Sequence, residues 1–107
     1  MGLYSVVRCR KVCHQCGTDV IFAIQFKYGN LYAHEYEVGD LIVWGRTQVG
    51  DPNEAKVAVQ GIGTCPACGN ELDFDIVISS GVIRSVAVSQ GAYDYRGALE
   101  GYVVLAD

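Results

Sequence analysis

A chain of 107 residues, half of them hydrophobic and 19% charged, is too apolar for a disordered tail and long enough for one small core. Its net charge of -4 is uneven: Arg8, Arg10 and Lys11 stand without an acidic neighbour, whereas from Gly17 onward five basic residues face twelve acidic ones. So acidic a body repels a phosphate backbone, which disfavours nucleic acid and favours a protein partner with a basic patch.

No stretch approaches the ~20 apolar residues that span a bilayer. The opening MGLYSVVRCRK has no long apolar run before a cleavage site, and Val6 stands where a myristoylation signal wants Ser or Thr. Five cysteines is an odd number for a framework of bridges, so a reducing, cytoplasmic setting is expected.

In chain order the apolar residues repeat with a period of two almost everywhere, the mark of strands. Leu3 to Val7 reads as a short first strand. Val20, Phe22, Ile24 and Phe26 share one face of a second, which ends in a turn at Tyr28-Gly29-Asn30. The stretch LYAHEYEVGD reads as a half-exposed strand closed by a Gly39-Asp40 turn, and LIVWG as a fully apolar, central strand. RTQVGDPNEA is a loop, since Asp51-Pro52-Asn53 favours a turn. KVAVQGIG and ELDFDIVIS are strands, the latter with Leu72, Phe74, Ile76 and Ile78 inward and Asp73, Asp75 and Val77 in water. Ser79-Ser80-Gly81 turns the chain into VIRSVAVSQ, with Val82, Arg84, Val86 and Val88 on one face. GAYDYRGALEG reads as a loop or a single helical turn, and YVVLA as a last strand.

Against this background two segments stand out, VCHQCGTD and TCPACGNE, each a Cys-x-x-Cys-Gly turn, with 48 cysteine-free residues between Cys16 and Cys65. Each turn aims two sulfurs into its mouth, and glycine takes the left-handed conformation that closes it. One turn supplies two ligands. A structural zinc takes four in a tetrahedron, so the two turns together complete a shell of Cys13, Cys16, Cys65 and Cys68. A redox dithiol would sit between a strand and a helix, and no helical pattern follows either pair. A four-sulfur shell leaves no position for an activated water, so no hydrolytic chemistry is expected there.

The two CxxCG turns at strand ends resemble the paired knuckles of a zinc ribbon, a likeness that covers about a third of the chain. It implies a metal used structurally in a binding or interaction module, many of which handle nucleic acids. More weakly, CPACGNELDF and CHQCG resemble the iron-binding loops of rubredoxin, which would imply an iron electron carrier.

The remaining residues carry blander readings. Cys9, outside the paired pattern, is expected as a buried or partly buried thiol. His14 is expected to face solvent beside the sulfurs. His34, Glu35 and Glu37 lack the second histidine of a His-Glu-x-x-His helix, because position 38 is Val. Asp73 and Asp75, at i and i+2, are the wet side of a sheet. Seven tyrosines include Tyr32 and Tyr36 on one strand face and Tyr93 and Tyr95 near the C-terminus, all candidates for an interface.

Together these features define an all-β or nearly all-β domain over residues 1-107, an antiparallel sheet or small barrel. A four-cysteine zinc site pins it, and residues 19-64 form a β-rich insertion between the knuckles. The function expected is non-enzymatic: protein interaction or scaffolding. The alternatives are a nucleic-acid binder using Arg8, Arg10 and Lys11, and the iron electron carrier.

Overall fold

The computed structural model describes residues 4–30, 35–45, 48–91, 93, 95 and 101–105. Among these residues nine strands follow in chain order: β1 (Ser5–Val12), β2 (Asp19–Phe26), β3 (Gly29–Asn30), β4 (Glu35–Glu37), β5 (Gln48–Val49), β6 (Lys56–Thr64), β7 (Glu71–Ser79), β8 (Val82–Val88) and β9 (Tyr102–Val104). The fold is all-β, and among the described residues no helix is long and apolar enough to cross a membrane.

Two long hairpins form the frame. In the first, β1 and β2 pair antiparallel from Ser5↔Phe26 to Val12↔Asp19, and in the second β6 and β7 pair from Lys56↔Ser79 to Thr64↔Glu71. Both close on a Cys-x-x-Cys-Gly turn. They meet side by side through β2 and β6 in only two pairs, Gln25↔Ile62 and Phe26↔Gly61. Farther from the turn, that edge of β6 is taken by β9, which pairs with Val57, Ala58 and Val59.

The sheet runs β4-β1-β2-β6-β7-β8 with β9 beside β6, and it curls until its ends meet. The Gly39 N–H donates to the Ile83 carbonyl at 2.7 Å, Ile83 N–H to the Asp40 carbonyl at 3.0 Å, and Ile42 N–H to the Gly81 carbonyl at 2.7 Å. The segment leaving β4 thus bonds to the start of β8 and gives the sheet a barrel-like closure. The sheet is mixed rather than purely antiparallel, because β4 runs parallel to β1.

Alternation explains what lies inside. Val7, Phe22, Ile24, Phe26, Tyr36, Val57, Val59, Phe74, Ile76, Ile78, Ile83 and Val86 are all buried in one cluster. Phe22 and Phe74 meet edge to face at 5.1 Å between ring centres, and Tyr28 meets both Trp44 and Tyr102 the same way. Gly61 and Gly63 occupy inward positions where side chains from the neighbouring strands already lie. A Cβ on Gly61 would come within 2.6 Å of Ile24 Cγ2 and 3.0 Å of Ile76 Cδ1.

Several expectations need correction. β1 runs on to Val12, with Arg8 and Arg10 on its solvent side, so the basic stretch is strand and not its exit. LIVWG is no central strand: Leu41 makes one isolated bridge and is 68% exposed, and only Ile42 is buried. Gln48 and Val49 lie inside the expected loop yet pair with Gly29 and Asn30. On β8 the alternation resets at a bulge, where Val77↔Ser85 is followed by Ile78↔Ile83 and Arg84 is left over, so Ile83 and Val86 both face the core. Asp75 is not in water but 7% exposed. Most of GAYDYRGALEG lies outside the described residues.

Two outcomes follow from this packing. Gly61→Ala, which must displace a β-branched core side chain, is expected to cost about 1–3 kcal/mol in denaturant unfolding; an unchanged midpoint would contradict the close approach. The second concerns Tyr28, Tyr36 and Tyr95, whose phenols are pushed above the ordinary 10.0, first by burial and then, at Tyr28 and Tyr95, by Glu54 and Asp75 respectively. Their neutral forms favour the fold, so this stabilisation is complete below pH ~10 and is lost as pH rises through the higher folded values. Phenolate absorbance is expected to rise in two stages, the later one coinciding with unfolding. Ionisation of every tyrosine before unfolding would contradict it.

Candidate metal centre

Each knuckle is built by the same two backbone bonds. Cys13 N–H donates to the Thr18 carbonyl at 2.9 Å and Gly17 N–H to the Cys13 carbonyl at 2.7 Å. In the second turn Cys65 N–H donates to the Asn70 carbonyl at 2.9 Å and Gly69 N–H to the Cys65 carbonyl at 2.8 Å. Gly17 and Gly69 have φ of 73° and 77°, a left-handed conformation that strains any residue with a Cβ. Both knuckles lie at the same end of the frame, because β2 leaves the first as β6, antiparallel to it, enters the second.

This places Cys13, Cys16, Cys65 and Cys68 together, with all four sulfurs within 4.8 Å of one another. The contacts cross between turns: Cys13 Sγ lies 3.8 Å from Cys68 Sγ and Cys16 Sγ 3.8 Å from Cys65 Sγ. A sulfur tetrahedron around an ion with bonds of about 2.3 Å has edges of about 3.8 Å, so the donor set fits a tetrahedral ion. The first cysteine of each pair is buried and the second exposed. None of the four is in a disulfide.

The electrostatics point the same way. Cys16 is pulled down to about 6, first by the Thr18 hydroxyl and then by its backbone N–H. Burial pushes the Cys65 thiol up, but the amides of Cys68 and Ala67 and the neighbouring sulfurs outweigh this and leave it lowered. The Asn70 amide pulls Cys68 down, yet burial and the other three sulfurs raise it to about 11. The cluster therefore accepts its first negative charges readily and resists the last. A divalent cation removes that resistance, and its binding displaces protons.

The other cysteine does not join the group. Cys9 is half-buried against the core on β1, its sulfur 4.0 Å from the Arg10 carbonyl. His14 is exposed, as expected.

The candidate interaction residues divide. Arg8 and Arg10 are held by Glu35 at 3.0 Å and Asp19 at 2.9 Å, and Lys11 is half-buried. Tyr36 belongs to the core rather than to a surface: it is 4% exposed, 5.8 Å from Phe26 between ring centres, and its hydroxyl accepts the Val43 N–H. Tyr32 and His34 lie outside the described residues. Tyr93 and Tyr95 are half-buried with ring centres 6.3 Å apart, and the Tyr95 hydroxyl donates to Asp75 Oδ1 at 2.8 Å. Sequence reasoning missed Asp75 as a special position, because simple alternation marks it as an ordinary wet carboxylate.

Comparison with known proteins gives no match to any family model, curated protein or solved structure.

If the four sulfurs form one centre, Cys65→Ser is expected to abolish stoichiometric metal binding and to unfold or aggregate the protein, whereas Cys9→Ser keeps the metal content of the parent. Elemental analysis of both purified variants reads this directly. Loss of metal in Cys9→Ser would overturn the assignment.

Proposed function

We propose that the four cysteines hold one structural zinc and that the domain is a non-enzymatic module for binding another protein. The observation that carries this reading is the closed set of four sulfurs, provided by two hairpin tips that otherwise share little backbone pairing. When bound, the ion supplies a cross-link and charge neutralisation; the chain supplies the rigid turns and the amides that favour thiolate. Four protein ligands satisfy a tetrahedral ion, which suits a structural role rather than activation of water.

The side chains around the sheet support binding over catalysis. Glu35 is paired with Arg8, Asp73 is exposed on a strand face, and the Asp75 carboxylate accepts a tyrosine hydroxyl. The two N-terminal arginines that would hold a phosphate backbone are each opposed by a carboxylate, and the net charge of -4 is repulsive to one. These points favour a protein partner over nucleic acid.

Structural zinc binding is worth on the order of 10–16 kcal/mol, against a net stability of roughly 5 kcal/mol for a domain of this size. Purified protein is therefore expected to carry one zinc per chain. A strong chelator should abolish its β-sheet circular dichroism, and added zinc should restore it. A protein that keeps its spectrum after complete metal removal would contradict the structural role. One equivalent of iron with visible absorption would replace zinc with the electron-carrier reading.

A further inference from the structure

Asp75 sits on the outer face of β7, the side away from the core, with Gln60 of β6 and Ala87 of β8 as its cross-strand partners. Both partners are exposed. Asp75 nevertheless retains 7% of its surface. One oxygen accepts the Tyr95 hydroxyl at 2.8 Å. Among the described residues no lysine or arginine forms an ion pair with it; the two ion pairs there join Arg8 to Glu35 and Arg10 to Asp19. A carboxylate so far withdrawn from water is costly unless hydrogen bonds and a cation oppose it. Among the described residues half of that requirement is met.

Beside this carboxylate is a recess of ≈ 340 Å³. Asp75, Ser85, Gln90 and Tyr93 give it its polar lining, and the small side chain of Ala87 leaves the space open. Ser85 and Gln90 offer neutral oxygens as acceptors. Tyr93 and Tyr95 stand next to each other with their rings tilted by 55°, and an aromatic face attracts a cation. Among the described residues no basic side chain lines the recess. Acceptors, the aromatic ring of Tyr93 and a withdrawn negative charge together select a group that donates N–H bonds and carries positive charge.

We propose that this recess receives the side chain of a lysine or arginine from a partner polypeptide. The proposal deepens the reading of the domain as a protein-binding module and is independent of the metal. The recess lies on a strand face at the surface, so the charged group arrives on a flexible stem while its backbone stays outside. Asp73 and Glu71 precede Asp75 on the same face and are exposed, extending the negative field along the line that such a backbone follows. A basic segment complements this row.

The test is an amide NMR titration of the metal-loaded protein with three blocked tripeptides, Gly-Arg-Gly, Gly-Lys-Gly and the neutral Gly-Gln-Gly, and with ethylammonium as a free cation. The expected result is saturable shifts at Asp75, Ser85, Ala87 and Tyr93 with the two cationic peptides, and none with the neutral one. Asp75→Asn keeps an oxygen for Tyr95 and removes the charge, and it is expected to weaken binding at least tenfold. Tyr93→Ala, a second variant should the first fail to fold, is expected to weaken it severalfold. Equal shifts with the neutral peptide, unweakened binding in whichever variant folds, or shifts with ethylammonium and none with either cationic peptide would each overturn the proposal. Zinc content, measured on the same samples, reports separately on the metal centre.

Discussion

Four sulfurs held within 4.8 Å of one another are the constraint on which the architecture depends. Their thiolates repel, as the opposed shifts of Cys16 and Cys68 record, and their thiols would leave the amides of two tight turns facing poor acceptors. The turns are built for anionic sulfur and the spacing for a cation between them. Beneath the cluster the two hairpins share only the pairs Gln25↔Ile62 and Phe26↔Gly61. The tips come together at the sulfurs where the backbone ladder is missing. Farther from the tips the edge-to-face pair of Phe22 and Phe74 continues the union through the core, and Gly61 and Gly63 let Ile24, Ile76 and Phe74 approach β6 closely.

Much of this was legible in the chain. The Cys-x-x-Cys-Gly turns carry their geometry in five residues, and the alternation of β2, β6 and β7 marks their inward faces. Loop closure over the 48 intervening residues adds little cost with length, which is why distance in sequence was no argument against a shared site. What was hidden depends on non-local pairing. LIVWG is as apolar as a central strand, but a central strand needs two neighbours, and this segment makes a single bridge, from Leu41 to Val82. The bulge at Arg84 inverts the face assignment within β8 because one unpaired residue shifts a period of two by one. Tyr36, a candidate for an interface on the strand face it shares with Tyr32, turns inward against Phe26.

The electrostatic picture changes in the same way. The N-terminal cations that look unopposed along the chain face Glu35 across the parallel β1–β4 pair and Asp19 across the hairpin. Register supplies the partners that sequence proximity withholds. Conversely Asp75, which looks like one of many surface carboxylates, is withdrawn under a tyrosine hydroxyl. The outer face of β7 therefore combines exposed negative charge with one carboxylate set back in a recess, and the sulfur cluster lies at the turn from which this strand starts. In the function proposed above, rigidity and recognition fall on different residues of the same strands.

X-ray absorption at the metal edge of the purified protein interrogates the central interaction most directly, because it counts ligand atoms and measures their distances without altering the chain. A single shell of four sulfurs at about 2.3 Å around zinc is the result this account predicts. A shell containing nitrogen or oxygen donors, or fewer than four sulfurs, would contradict it.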